Sequence, residues 1–463
     1  MKNIIIAMFA IGFLFSSCKD EAKEVADYAI LSGKVENLKG GTIWMLNFDG
    51  WQKYINVKED GTFLDTIRIE KPGAYLIDFE KKRSEIYVIN GTNIQFNFDA
   101  KNFVNTIKFE GDYASLNNHF ATKAIAQEAY FLKMKELYVL EAEDCRKTLQ
   151  ENYVSPFLIS LEEVTGISEE LRNLEKRNIQ IGYIEKLAYF KSYHPRYTNK
   201  ENYIAPDWFE KEVNDFSIDD TALLQYSTEY FRRVSSYYSS KGFELMKNDS
   251  TLSYSDAYFK TMKSIENEAV KNTLLFSNFR NYISTSKNKK EKFADYLAIN
   301  TDSIYKERAT ALYQQVMKLE PGSPSPKFVN YENHAGGTTS LNEFKGKYVY
   351  IDIWATWCGP CKRQIPYLEK IEEQYHDKNI AFVTISVDYK KDYDKWKQMV
   401  TDKKMKGIQL IAPDAFNSEF IDAFNIQGIP RFILIDPDGN LITPNAPMPE
   451  QRELIDLFNK HNI

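Results

Sequence analysis

The sequence predicts a multi-domain chain with an N-terminal all-β domain, a central α-helical region and a C-terminal α/β domain. Three observations predict it. Between Ile30 and Phe109 short apolar runs recur at a spacing of about ten residues, with Gly, Asn, Asp or Pro between most of them. From Ser115 to Glu320 glycine becomes scarce and apolar residues recur at helical spacing. Beyond a proline-rich stretch at 321–326, continuous apolar runs of strand length alternate with helical patterns.

The chain has 463 residues, too many for one ordinary core, and this length favours about two or three domains. Hydrophobic residues make up 43% and charged residues 27%, the balance of a globular protein. The net charge is −6, with Lys and Arg scattered among Asp and Glu rather than gathered in runs, which argues against a nucleic-acid partner. The four cysteines, Cys18, Cys145, Cys358 and Cys361, are too few for a disulfide scaffold. With one CxxC pair and no histidine at finger spacing they do not make a zinc site, so no metal is expected. Lys362 stands where the histidine of a C-x-x-C-H haem attachment would be.

Met1-Lys2-Asn3 followed by the apolar run Ile4 to Phe15 reads as a signal peptide, too short to span a bilayer as a stable helix. The run ends in Leu14-Phe15-Ser16-Ser17-Cys18, which resembles a bacterial lipobox. That resemblance implies removal of residues 1–17, lipidation of Cys18 and a membrane anchor made of lipid. Residues 18–29, acidic and polar, then form a tether. The body is thereby placed in the cell envelope, where thiols are not kept reduced by default. Lys19, rather than Asp, after the cysteine implies the periplasmic side of the outer membrane, and Lys19-Asp20-Glu21 is a little like a surface-export signal.

In the region 30–112, strands are expected at Thr42 to Phe48, Thr66 to Ile69, Ala74 to Phe79, Ile86 to Ile89 and Ile94 to Phe98, as a small sandwich or barrel. The punctuation Asp60-Gly61, Lys71-Pro72-Gly73 and Asn90-Gly91 resembles a β-domain of unknown function that opens redox lipoproteins, and it implies a structural or docking role. In the region 113–320 the sets Tyr226, Tyr230, Phe231, Val234, Tyr237 and Ile304, Tyr305, Ala309, Leu312, Val316, Leu319 fall at helical period and read as core. Cys145 is expected to be a structural thiol. The three prolines within 321–326 forbid helix and favour an extended linker, after which the last domain spans 327–463.

In that domain the apolar strand Tyr348 to Trp354 runs into Trp357-Cys358-Gly359-Pro360-Cys361-Lys362, and Ile365, Leu368, Ile371 and Tyr375 follow at helical spacing. The two cysteines therefore sit at a strand-to-helix junction. Further strands are expected at Ile380 to Val387 and Phe432 to Ile435, with a hairpin at Asp436-Pro437-Asp438-Gly439-Asn440 and a closing helix over Glu450 to Asn459. This order gives a mixed sheet of thioredoxin type. Asp352 through Pro366, with Gly428-Ile429-Pro430 further on, resembles the TlpA and ResA branch of membrane-anchored thiol-disulfide oxidoreductases over roughly the last third of the chain.

At a helix N-terminus, backbone N–H groups and the helix dipole stabilise a thiolate, which makes Cys358 the expected nucleophile. Cys361, one turn later, is the expected resolving thiol, so the only redox group required is the Cys358–Cys361 pair itself. The resemblance assigns Asp352, six residues before Cys358, as the buried carboxylate that exchanges a proton with Cys361. It likewise assigns Pro430 as a cis-proline facing the disulfide and Ile429 as the residue whose backbone pairs with an extended substrate. Trp357 is expected to shield the cysteines, and Gly359-Pro360 to hold them close. Gln364 stands where many ResA-like proteins carry a glutamate; an amide orients a substrate but cannot trade a proton.

The expected function is thiol-disulfide exchange on envelope proteins, as a reductant or isomerase recharged by a membrane electron donor; the family alone suggests cytochrome c maturation as a client process. A thiol peroxidase is disfavoured, because Ala355 and Ile351 occupy positions where peroxiredoxins place Thr or Ser and Pro. A partner-binding lipoprotein with an accessory redox domain is the non-enzymatic alternative.

Overall fold

A computed structural model describes residues 26–200, 202–286, 288–426 and 428–463. The expected signal peptide, Cys18 and the tether as far as residue 25 lie outside the described residues. The chain divides into two compact units between Ser277 and Asn278. Among the described residues no helix is long and apolar enough to cross a membrane.

The first unit opens with eight strands: β1 Ala29–Glu36, β2 Gly41–Leu46, β3 Gln52–Val57, β4 Thr62–Ile67, β5 Gly73–Phe79, β6 Lys82–Val88, β7 Asn93–Asp99 and β8 Lys108–Gly111. They form two four-stranded sheets, ordered β4-β1-β7-β8 and β3-β2-β5-β6. Alternate residues of both sheets, among them Leu31, Phe63, Ile94 and Phe96 from one and Ile43, Met45, Ile77 and Ile86 from the other, share one buried core, so the domain is a sandwich. Gly61 turns the chain at φ +81°, where a Cβ would stand 2.5 Å from the Val35 carbonyl oxygen. The sequence does not predict strands β1, β3 and β8: Ser32-Gly33-Lys34 breaks the apolar run of β1, Gln52, Lys53 and Asn56 dilute β3, and β8 has one large apolar side chain in four residues. The strand expected at Thr66 to Ile69 starts four residues earlier, at Thr62.

Among the described residues ten α-helices make up the rest of this unit, the longest being Ala114–Tyr138, Glu169–Thr198 and Thr228–Asn248. The aromatic series from Tyr226 to Tyr237 does not lie on one helix. Tyr226 ends Thr221–Tyr226, and Ser227 caps the next helix by accepting from the Tyr230 N–H at 3.0 Å. Tyr226, Tyr230 and Val234 are nevertheless core, and only Tyr237 is exposed. Cys145 is fully buried, and burial pushes its thiol up to about 12, too weak an acid to act as a nucleophile near neutral pH.

The helical core carries a polar cluster around the fully buried Glu175. This carboxylate accepts from Lys123 at 2.7 Å, Asn178 and Tyr226 each at 2.9 Å, and lies 3.2 Å from His119. Lys123 also donates to Glu85 of β6 at 2.8 Å. Against the cost of burial, Lys123 and His119 hold Glu175 below the usual carboxylate range, whereas at Glu85 burial outweighs Lys123 and pushes the acid up to about 7.

The second unit begins with helices Phe279–Thr285, Lys289–Ile299 and Ser303–Met317 and continues into a seven-stranded mixed sheet. Its strands are β9 Tyr331–Asn333, β10 Thr338–Thr339, β11 Tyr348–Trp354, β12 Ile380–Ser386, β13 Ile408–Ile411, β14 Arg431–Ile435 and β15 Leu441–Thr443, in the order β10-β9-β13-β12-β11-β14-β15. The central strands β11, β12 and β13 are parallel, and β14 runs antiparallel to β11. One face carries Ile351, Ile353, Val383, Ile385 and Leu410 against Trp396 and Phe420. The other carries Tyr350, Phe382, Phe432 and Leu434 against Leu368, Ile371, Leu454 and Phe458.

The segment 321–326, expected to be an extended linker, begins in a turn, with Gly322 at φ +88° and the Ser323 N–H donating to Glu320 O at 3.0 Å, and it is not a free spacer. Gly322 N–H donates to Leu441 O at 2.7 Å, Leu441 N–H to Ser323 O at 2.8 Å and Ser325 N–H to Gly439 O at 3.0 Å. Proline removes only its own donor, and the residues between the prolines dock this stretch beside the hairpin of β14 and β15. The compact-unit boundary accordingly lies upstream, at Ser277, and the three preceding helices belong with the sheet.

Candidate active site

Strand β11 is buried along nearly its whole length and ends at Trp354. The chain then crosses Ala355-Thr356-Trp357 and enters helix Gly359–Gln374, whose N-cap is Cys358. Pro360 suits this first turn, where its missing N–H is no loss and its fixed φ is already helical. The crossing loop is tied down by Asp388, just past β12. Its buried carboxylate accepts from the Thr356 N–H at 2.9 and 3.1 Å, from the Thr356 hydroxyl at 2.8 Å and from the Ser386 hydroxyl at 2.7 Å. Sequence reasoning missed Asp388, since an aspartate closing a strand reads as an ordinary turn residue.

Cys358 and Cys361 form a disulfide, with Cα atoms 5.3 Å apart. Cys358 Sγ accepts from the Cys361 N–H at 3.1 Å, the donor that a thiolate at this helix end would keep. The same sulfur lies 3.8 Å from the Ile429 carbonyl oxygen, and the Ile429–Pro430 peptide is cis. The fold thus gathers Cys358, Cys361, Ile429 and Pro430 at one place. The expected contrast between an exposed and a buried cysteine is small in this oxidised form, at 4% and 1% exposure. Gly359 and Pro360 are exposed, Ile429 and Pro430 half-buried, and the Trp357 ring lies 6.3 Å from that of Phe416.

Asp352, central in β11, is 3% exposed, and among the described residues no hydrogen-bond donor reaches its Oδ1. Burial pushes its carboxyl up to about 8, with a contribution from the Glu372 carboxylate. Glu372, also buried, is itself pushed up to about 7 by burial, Glu369 adding to the rise and Lys406 opposing it. Glu372 was not singled out in the sequence, where a charge beside Ile371 reads as helix surface. Gln364 is buried and spends its amide oxygen on the Glu450 N–H at 3.3 Å. No group of three or more His, Cys, Asp or Glu side chains among the described residues is placed to hold a metal.

Residues 320–454 match the family model described as Redoxin. The chain is 29% identical over 133 residues to the thiol-disulfide oxidoreductase ResA of Bacillus thuringiensis, spanning 27% of this chain and 69% of that one. It is 26% identical over 134 residues to ResA of Bacillus subtilis, spanning 28% and 70%. Among solved structures, a Bacteroides vulgatus protein described as a thiol-disulfide oxidoreductase is 45% identical over 30% of this chain and 90% of its own, with a TM-score of 0.28. A mixed sheet with a cysteine pair at a strand-to-helix junction, the Redoxin match and the ResA relatives agree: the chain carries, in its C-terminal region, a thioredoxin-like domain of the ResA- and TlpA-like thiol-disulfide oxidoreductases.

Proposed function

We propose that this domain exchanges disulfides with proteins of the cell envelope, as a reductant or isomerase, and that a membrane electron donor restores its dithiol. The observation that carries the proposal is the Cys358–Cys361 disulfide at a helix N-terminus, beside Ile429-Pro430, in a domain that also buries Asp352. In the reduced protein the Cys358 thiolate attacks a client disulfide; a new sulfur–sulfur bond forms as the client's departs as thiolate and takes a proton. The Cys361 thiol gives its proton to Asp352 and displaces the client from Cys358, leaving the oxidised pair and a client dithiol. When a donor thiolate later opens the pair, Asp352 returns the proton to the leaving Cys361 sulfur. An acid pushed up to about 8 is mostly protonated at neutral pH and ready to return a proton to Cys361, while its ionised fraction, which grows as pH rises towards 8, accepts one.

Trp357 covers the sulfurs, and the Ile429 main chain aligns an extended client segment as a strand does. Lipidation of Cys18 would hold the domain at the membrane, on the periplasmic side of the outer membrane. Alanine at both Cys358 and Cys361 tests the proposal. Loss of protein-disulfide reduction in vitro together with loss of the cellular phenotype supports it, whereas a phenotype that survives without the thiols makes the chain a binding lipoprotein.

A further inference from the structure

On the sheet face covered by helix Gly359–Gln374, three polar side chains stand in a row. Asp352 of β11 pairs in register with Thr384 of β12, and Thr384 with Gln409 of β13. Neighbours in register on parallel strands project to the same face at a spacing of about 4.8 Å, so the row crosses the sheet over roughly 10 Å. Glu372 joins it from the helix. Four oxygens, Asp352 Oδ1, Thr384 Oγ1, Gln409 Oε1 and Glu372 Oε1, are buried without a hydrogen-bond partner among the described residues. Isolated orphans of this kind are costly, and buried polar oxygens gathered in one layer are ordinarily satisfied by ordered water.

The row has an outer end. Gly407, two residues before Gln409, is exposed, and a Cβ there would lie 2.5 Å from Glu372 Oε1 and 3.0 Å from the Phe382 carbonyl oxygen. Glycine, with φ +66°, leaves the room the carboxylate occupies. Gln409 Nε2 donates to the Lys406 carbonyl at 2.6 Å, fixing the row to the same turn. Its inner end is Asp352, and Cys361 lies three turns before Glu372 on the same side of the helix.

We propose that Glu372 is a proton-relay residue, the second station of a path that starts at Cys361 and Asp352, crosses along Thr384 and Gln409 and reaches solvent at the Lys406-Gly407 turn. The proposal rests on the oxidoreductase role of Cys358 and Cys361 given above. When Cys361 resolves a mixed disulfide, its proton passes to the Asp352 carboxylate, giving a neutral acid. That acid passes a proton through water held by the row to the Glu372 carboxylate, and Glu372 releases it to solvent, so both carboxylates return to their starting charge. Reduction of the pair runs the same steps backwards. The two acids, pushed up to about 8 and about 7, lie at or just above neutral pH, so each is able to hold or release the proton. The other titratable or charged groups on this face are Tyr348 and Tyr350 on β11, Glu369 on the helix, Tyr375 at its C-terminal end and Lys406 at the turn; β14 and the closing helix Arg452–Lys460 contribute Phe432, Leu434, Leu454 and Phe458.

Stopped-flow reduction of the oxidised full chain by dithiothreitol, followed by tryptophan fluorescence across roughly pH 5 to 10, tests this. Glu372→Gln removes a like charge from Asp352, so the midpoint assigned to Asp352 should fall by on the order of one pH unit, with a rate near neutral pH about tenfold lower. The double variant Asp352→Asn/Glu372→Gln should match Asp352→Asn alone. Thr384→Val breaks the row without touching either carboxylate and should slow the same limb about tenfold with its midpoint kept. An unmoved midpoint in Glu372→Gln, or an unchanged rate in Thr384→Val, overturns the relay. If Asp352→Asn also leaves the profile unchanged, the proton role of Asp352 falls with it; if Cys358→Ala/Cys361→Ala still reduces protein disulfides, the function itself falls.

Discussion

Asp352→Asn should make the C-terminal unit more stable while making it a poorer enzyme, and the two effects have the same origin. Asp352 is buried, no donor among the described residues reaches Oδ1, and burial pushes its carboxyl from 3.8 up to about 8. The folded state therefore binds a proton over a range where the unfolded chain has lost it, so stability is full below about pH 4 and is lost as pH rises towards 8. The rise of about four units, at about 1.4 kcal/mol each, amounts to about 6 kcal/mol once the acid is ionised in both states, of which about 4 kcal/mol falls between roughly pH 5 and pH 9. An asparagine carries no such dependence. Urea unfolding of the oxidised wild type and variant at a series of pH values gives the difference directly, because contributions from groups other than the coupled Glu372 cancel. The variant's advantage should grow by about 4 kcal/mol from pH 5 to pH 9. A difference that stays flat across this range would refute a neutral, buried Asp352.

Asp388→Ala removes the acceptor of the Thr356 N–H and hydroxyl and should cost about 2–4 kcal/mol, with a lower rate of disulfide reduction as the approach to Cys358 loosens; thermal unfolding and turnover check both. Glu175→Ala leaves Lys123 with Glu85 alone and strips Asn178, Tyr226 and His119 of a shared acceptor, so thermal unfolding of the first unit should report a loss of about 3–5 kcal/mol while the redox reaction is untouched. Cys18→Ser should move the protein from the membrane pellet to soluble fractions or leave an unprocessed precursor, and a processed variant that still pellets puts the anchor elsewhere.

How legible each part was depended on whether its cause is local. Cys358, Cys361 and the strand-to-helix junction are written in consecutive residues, and Asp352 follows from a fixed offset along one strand. The sandwich strands whose alternation is clean, such as Ile94, Phe96 and Phe98, were visible, whereas β3, with Gln52, Lys53 and Asn56 among its six residues, was not. Glu372 and Asp388 matter through what the fold brings to them: a glycine turn and an orphaned sheet row in one case, a loop from the neighbouring strand in the other. The buried Lys123–Glu175 pair joins helices far apart in sequence, and nothing near either residue announces it. The break at Ser227 was lost in an aromatic period that continues across two helices, although a serine N-cap supplied a local signal. The proline-rich stretch at 321–326 was seen as extended, but its docking on the hairpin depends on backbone groups that composition does not reveal.

The central claim, that Cys358 attacks and Cys361 resolves, is tested most directly by trapping. Cys361→Ala and Cys358→Ala variants of the full chain are produced in the envelope, and mixed disulfides are resolved on non-reducing gels and read by mass spectrometry. With Cys361→Ala the attacking thiolate at the helix end is intact and no second thiol releases the adduct, so mixed disulfides through Cys358 should accumulate and the captured protein names the client. With Cys358→Ala, the sulfur that caps the helix and faces the Ile429 carbonyl is gone, and little or nothing should be captured. Equal trapping by both variants, or trapping through Cys361 alone, would contradict the assignment.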